Sequence, residues 1–295
     1  MFFQLKNQKL TATVNMIGAE LKSLKGVEYE YLWHGDPAYW HRSAPILFPA
    51  IGRFKDDRTF FNNKAYQIPK HGFLKNMRFT VVSHDETNLI LGFDANDETK
   101  NMYPFQFEFR VHYVLDHSTL TTTLTVKNTG DEPMPFHIGG HPAFKIPIEP
   151  NERFEDYAIH FPKIEHFNSP KVVLENGTID WTKTARSFKS LRVLPLCYED
   201  FKDDALIFDN IKSDYVILQN KRGTQGVKFS FEGFKTLAIW TPSHIHSPFL
   251  CLEPWIGCAD SPDSTGVFLD KKDVIVLPSH QQLTKSYSIT VLHQG

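Results

Sequence analysis

Strict two-residue alternation of apolar and polar side chains constrains this 295-residue chain more than any other feature. Phe107, Phe109, Val111 and Tyr113 alternate with Gln106, Glu108, Arg110 and His112. Leu120, Thr122, Leu124 and Val126 alternate with Thr121, Thr123, Thr125 and Lys127. Successive side chains on a strand point to opposite faces, so each segment reads as a strand with one face in a core and the other in water. Asp116-His117-Ser118 between them is a hairpin turn. The pattern returns at 227–231 and 287–291, and turn residues recur at 128–131, at Asn176-Gly177 and at 221–224. No segment holds a 3.6-residue apolar period over several turns; one or two short helices are allowed, with 261–269 the place for one.

These observations predict an all-β fold of large antiparallel sheets packed as a sandwich. No linker, low-complexity tract or repeat divides the chain, so 1–295 reads as a single domain. It is larger than an ordinary sandwich of about 100 residues. The 25 Phe, 10 Tyr and 18 Pro suit strands and tight connections better than long helices.

A formal net charge of −2 leaves no basic footprint for nucleic acid and no polybasic membrane anchor. Three cysteines, Cys197, Cys251 and Cys258, are too few for a disulfide framework and read as free thiols in a reducing compartment. The first residues lack the apolar core of a signal peptide, and no apolar run is long enough to span a bilayer. The expectation is a cytoplasmic protein whose partner is a small molecule, with neither nucleic acid nor membrane involved. Nothing in the chain selects an oligomeric state.

Four polar islands sit in apolar, glycine- and proline-marked surroundings. They are Gly52-Arg53-Phe54, Lys70-His71-Gly72-Phe73, Gly139-Gly140-His141-Pro142-Ala143-Phe144 and Cys251-Leu252-Glu253-Pro254-Trp255. A carboxylate inside an apolar strand is costly unless it has a partner or a task, which singles out Glu253. Partial burial raises a carboxyl pKa and makes the ionised form a stronger base. Arg53 brings a fork of donors and equally reads as a surface residue; His71 reads as a ligand-facing group or as a loop cap. Trp255 and Trp240 offer flat faces to a sugar ring or belong to the core. His137 with His141, and His244 with His246, have spacings that suit metal pairs, but Gly139, Gly140 and Pro142 oppose the helix the first pair would need. There is no Gly-x-Ser-x-Gly elbow, Walker loop or dinucleotide fingerprint.

In this order along an all-β chain, the islands resemble the aldose 1-epimerase (galactose mutarotase-like) family over nearly the whole length. The segment Ser43-Ala-Pro-Ile-Leu-Phe-Pro-Ala-Ile-Gly-Arg53 and the other three islands match the branch associated with lactose operons. The resemblance implies a β-supersandwich that interconverts the α and β anomers of a free hexose without a cofactor. It implies Glu253 as general base, His141 as general acid, and Arg53 and His71 near the sugar's ring oxygen. It also implies a hydroxyl-binding acid before Ala205-Leu-Ile-Phe208, met by Asp204 or, with a shifted alignment, Asp209. Gly52 stands where galactose mutarotases proper usually carry Asn, and Gly140-His141-Pro142-Ala143-Phe144 where they carry an Asn-His-x-Tyr-Phe-Asn block, which removes contacts that would favour galactose. Two other functions remain open on the same fold: a hexose-6-phosphate 1-epimerase, toward which Lys55, Arg58 and Lys75 are candidate cations, and a non-catalytic sugar-binding protein. A metal-dependent isomerase using His137, His141, His244 or His246 is a third.

Overall fold

The computed structural model describes residues 1–293. Its largest sheet has nine strands, in the order Thr178–Pro195, Tyr157–Val173, Tyr215–Asn220, Gln225–Ser230, Gln282–His293, Thr119–Asn128, Phe107–Asp116, Asn88–Asp94 and Thr80–His84. Every neighbouring pair is antiparallel. The alternating segments lie at its centre, joined at 116–119 where the sequence places the turn. Their inward residues are buried without a break from Phe107 to Leu115 and from Leu120 to Val126.

The second sheet follows the order Leu206–Asp209, Thr236–Trp240, Phe249–Ile256, Ile138–Gly140 and Ile46–Leu47, with Ala143–Lys145 also paired to Phe249–Ile256. One hydrophobic cluster joins the two sheets, taking Phe109, Leu120 and Tyr287 from the first and Phe208, Leu237, Leu250 and Leu252 from the second. A three-stranded meander, Phe2–Lys6, Thr11–Asn15 and Glu20–Lys25, adds Leu5, Val14 and Leu24 to the same core. The all-β antiparallel sandwich expected from the sequence is the fold observed.

Two details depart from the expectation. The α-helix is Asp97–Met102, whereas 261–269 is loop and ends in a single 3-10 turn, Phe268–Asp270. Reciprocal capping fixes that helix: Asn96 Oδ1 accepts from the Thr99 amide, and Thr99 Oγ1 accepts from the Asn96 amide, each at 3.0 Å. The second departure is the long hairpin Tyr157–Val173 with Thr178–Pro195. Its register shifts repeatedly, and only its first residues pair with the rest of the sheet. The remainder forms an arm whose tip reaches the second sheet, where Val172, Gly177 and Ile179 line a cleft. Among the described residues no helix is long and apolar enough to cross a membrane.

Candidate active site

The cleft, about 380 Å³, lies over the second sheet. Its floor is the strand Phe249–Ile256, buried at every position. Alternation assigns Leu250, Leu252 and Ile256 to the main core, while Glu253 and Trp255 line the cleft. Ile138–Gly140 and Ala143–Lys145 pair with the same edge of this strand, Gly139 opposite Trp255 and Ala143 opposite Cys251. The register is the same on both sides of the gap, so His141 falls directly across from Glu253. Pro142 has no amide to donate, and its carbonyl instead accepts from Leu252 at 3.1 Å. Directly opposed residues hold their side chains close together, and His141 Nε2 stands 3.1 Å from Glu253 Oε2. On the other edge Glu253 faces Ala238, whose small side chain leaves the carboxylate room.

Both members of the pair are almost wholly buried, and neither Glu253 Oε2 nor His141 Nδ1 has an aligned hydrogen-bond partner. Burial pushes the Glu253 carboxyl well above the usual range; Lys70 opposes that rise and Asp204 adds to it. Burial, helped by Lys70, pushes the His141 imidazole down to about 3. Burial therefore favours the neutral acid and the neutral imidazole.

His71 is held in a left-handed turn, φ +63°, followed by Gly72 at φ +74°. A Cβ on Gly72 would lie 2.0 Å from the Phe48 carbonyl oxygen, so only glycine fits there. The His71 amide donates to the Gly52 carbonyl at 2.9 Å, and the Gly52 amide donates to His71 Nδ1 at 3.2 Å. With Nδ1 accepting, the ring proton of the neutral form is on Nε2. Burial, with Lys70 next, keeps this imidazole neutral. Its ring centroid is 5.5 Å from that of His141.

The cleft also takes in Asp204, whose carboxylate accepts from the Ala205 amide at 2.7 Å. Asp209 lies elsewhere, held by Lys272 at 3.1 Å and Thr236 at 3.2 Å. Trp255 lines the cleft with its Nε1–H unpartnered. Arg53 does not line it: the side chain is exposed at the rim, its Cδ covering Gly177. Lys55 and Arg58 are also outside the lining.

Two lining residues, Trp40 and Arg42, carry no signal of their own in the sequence, whereas Trp240, Lys70 and Lys75 stand in it as an aromatic face, part of a polar island and a candidate cation. Trp40 lays its ring on His141, centroids 4.8 Å apart at 30°, and Trp240 meets the same imidazole edge-on at 5.8 Å. Arg42, Lys70 and Lys75 form one end of the cleft. Among the described residues neither histidine pair drawn from spacing belongs to a gathered group of three or more donors. His137 turns into the core beside Phe268, both ring nitrogens unpartnered, and His246 stacks on Tyr198. The donor atoms that do gather are those of His141, Cys251 and Glu253, within 4.8 Å of one another.

With this geometry in hand, comparison with known proteins defines the class. The aldose 1-epimerase family model matches residues 1–281, and the chain belongs to that family. It is 35% identical over 303 aligned positions to the chromosomal protein LacX of Lactococcus lactis subsp. lactis, covering 99% of this chain and 100% of that one. Among solved structures it is similar to a galactose mutarotase related enzyme from Lactobacillus acidophilus. There the TM-score is 0.94 and the identity 29%, over 99% of this chain and 97% of the other. A galactose mutarotase-like protein from Lactobacillus casei gives a TM-score of 0.89 at 26% identity, over 99% and 100% of the two chains.

Proposed function

We propose that this protein is an aldose 1-epimerase that opens and recloses the pyranose ring of a hexose, with Glu253 and His141 as its acid–base pair. The observation that carries the reading is their placement. They face each other in register on the cleft floor, 3.1 Å apart, with Glu253 Oε2 and His141 Nδ1 otherwise unpartnered. A group that merely bound sugar hydroxyls would not need a matched donor and acceptor at contact distance.

Ring opening removes the proton from O1–H and adds one to the ring oxygen O5. Ionised Glu253 takes the first proton and protonated His141 gives the second, each transfer worth about 10²–10⁴-fold. The open aldehyde rotates about C1–C2, and the reverse transfers close the ring on the other face. While the aldehyde is open the pair is neutral acid and neutral imidazole, the arrangement that burial favours. His71 Nε2–H donates to a sugar oxygen on the His141 side, and Asp204 accepts from hydroxyls at the opposite wall. Trp255 gives its N–H, and Trp40 and Trp240 give apolar faces. Arg53, at the rim, contacts what the sugar exposes there. No step in this scheme calls for a metal or nucleotide.

The test is anomer exchange of α-D-glucose and α-D-galactose, followed by optical rotation with wild type and Glu253→Gln. Acceleration that the variant loses while sugar affinity stays within a few-fold supports the reading. Acceleration that survives in Glu253→Gln removes Glu253 as the base. Binding without acceleration for any aldose would make the protein a sugar carrier or sensor on the same fold.

A further inference from the structure

We propose that His141, Cys251 and Glu253 form a binding site for a thiophilic divalent cation of the zinc type, and that the bound ion switches the protein off by occupying its acid–base pair. The binding stands on the donors alone; the inhibition rests on the epimerase reading above. The sheet brings the three residues to one place. Cys251 and Glu253 are two apart on the strand Phe249–Ile256, so their side chains leave the same face. His141 lies on the neighbouring segment, between Gly139, which is opposite Trp255, and Ala143, which is opposite Cys251. One nitrogen, one sulfur and one carboxylate oxygen thereby come within 4.8 Å of one another, all on buried residues.

The donor set suits zinc. Imidazole, thiolate and carboxylate are its protein ligands, and an open site takes three of them and leaves a fourth position to water. Sulfur selects against magnesium and calcium, which prefer oxygen shells. Zinc bonds of about 2.0–2.2 Å at a tetrahedral angle hold a nitrogen and an oxygen ligand roughly 3.3 Å apart. His141 Nε2 and Glu253 Oε2 are already 3.1 Å apart. The thiolate and the carboxylate together balance a divalent charge, so the loaded site is neutral in surroundings that penalise net charge.

These donors are uncommitted. Glu253 Oε2 has no hydrogen-bond partner, and Cys251 is a free thiol. Trp33 and Phe249 pack with Cys251 in one apolar cluster that Trp40 and Trp240 cover, which closes the sulfur side to water. The open coordination position faces the cleft, which Glu253 and His141 line. Two features hold the affinity below that of a structural zinc centre. His141 Nδ1 lacks the partner that usually orients a metal-bound imidazole, and Arg42, Lys70 and Lys75 at one end of the cleft repel a cation. The ion is thus a reversible occupant and not a part of the reaction. While it is bound, the lone pairs of Glu253 and His141 point at the metal, so the first cannot take a proton and the second cannot carry one.

The experiment titrates the full chain with Co²⁺, then displaces it with Zn²⁺. Cobalt held by a thiolate gives a near-ultraviolet sulfur-to-metal charge-transfer band. The band is expected in wild type and in Cys197→Ala/Cys258→Ala, whose remaining thiol is Cys251. Cys251→Ala should lose the band and at least about 10-fold in zinc affinity. Glu253→Gln should keep the band and bind more weakly, which tests the site even if Cys251→Ala fails to fold. A wild type without the band, a band that survives in Cys251→Ala, or Glu253→Gln binding as tightly as wild type overturns the site. Anomer exchange then tests the inhibition: zinc should abolish it, a chelator should restore it, and Cys251→Ala should need at least about 10-fold more zinc for the same loss. Zinc that binds with these signatures and leaves exchange unchanged overturns the inhibition. If no aldose is exchanged at all, the epimerase reading falls and takes the inhibition with it, while the cobalt spectra still decide the site.

Discussion

The two sheets of this sandwich solve opposite problems. In the nine-stranded sheet the outward face is closed by reciprocal hydroxyl contacts between Thr119–Asn128 and Gln282–His293. They are Thr119 with Thr290 at 2.8 Å, Thr123 with Ser286 at 2.9 Å and Thr125 with Thr284 at 3.1 Å. The second sheet is buried along the whole of its central strand, and it holds Glu253 there. Buried side-chain polar atoms without partners belong to Ser43, His137, His141, Thr241, Glu253 and Trp255; among the described residues none is on the nine-stranded sheet. Native interiors rarely leave such atoms unsatisfied. Three of them, His141, Glu253 and Trp255, line the cleft, where unpartnered groups cost stability and are open to a ligand.

That contrast breaks most sharply at Glu253. Glu253→Gln is expected to lower turnover by about 10²–10⁴-fold and at the same time to raise the melting temperature. The sign follows from linkage. The folded carboxyl pKa is raised above its ordinary value of 4.5, so below 4.5 the group is protonated whether folded or unfolded, and the stability difference between the proteins is smallest. As pH rises above 4.5 the unfolded chain releases its proton while the folded one keeps it. Wild type therefore loses stability relative to the variant. Thermal melts of both proteins between pH 4 and pH 8 check this; a gap that shrinks with rising pH would contradict it.

The wall of the cleft offers a second break of similar size, in stability rather than in rate. Lys271 and Asp260 form an ion pair whose side chains are 4% and 2% exposed, with the ammonium over the Phe54 ring at 4.5 Å. Asp260 also accepts from the Lys55 amide at 2.9 Å, donates its own amide to the Arg53 carbonyl and gives its carbonyl to Ile179. One residue thus ties together three segments that line the cleft through Gly52, Ile179 and Ala259. Asp260→Ala strands the buried ammonium and is expected to cost about 3–5 kcal/mol in denaturant unfolding. The double change Asp260→Asn with Lys271→Met, which removes both charges, should recover much of that loss. A double variant no better than the single one would count against the ion pair as the cause.

A smaller effect is expected from pH. The Lys75 ammonium is lowered to about 8 by burial first and then by Arg42 and Lys70, and it lies near the neutral imidazoles of His71 and His141. It is charged below about 8 and neutral above. Any preference for an anionic over a neutral aldose, measured as the ratio of kcat/KM values, should fall as pH rises through that value. The ratio reports the free enzyme, so a flat profile from pH 7 to pH 9 would place the discrimination elsewhere.

The two sheets also differ in how much of them can be read from residues alone. Period-2 burial made the central hairpin of the large sheet legible to within a few residues, because one face meets water and the other meets core. The long hairpin Tyr157–Val173 with Thr178–Pro195 was not legible. Pro162, Pro170 and its register shifts interrupt the alternation, and its outer arm has no sheet neighbour to enforce a face. In the cleft sheet, Glu253, His141 and His71 stood out because a polar group in an apolar, glycine-marked segment is costly without a reason. Trp40 and Arg42 did not, since exposed cations and core tryptophans are ordinary; only the folded path brings them beside His141. Asp204 fits the expected acid best and Asp209 only with a shifted alignment; the structure has the first in the cleft and the second beside Lys272. The helix Asp97–Met102 did carry a capping signal, Asn96 with Thr99, but six residues are too few to display an apolar period.

The mildest way to sharpen the comparison is to cut one hydroxyl contact on the outer face of the large sheet. Thr123→Val keeps the β-branched shape that suits a strand and removes the exposed bond to Ser286. Cross-strand pairs of this kind contribute about 0.2–1 kcal/mol. The variant should therefore unfold at a slightly lower denaturant concentration with an unchanged m-value. Its anomer exchange should match wild type, because Thr123 points to solvent while the inward neighbours Thr122 and Leu124 keep the core. A large loss of turnover in this variant would mean that the outer face communicates with the cleft. The division between a satisfied sheet that supplies stability and an unsatisfied one that supplies chemistry would then be wrong. An unchanged rate with a small stability loss would place the two functions of the sandwich on separate sheets.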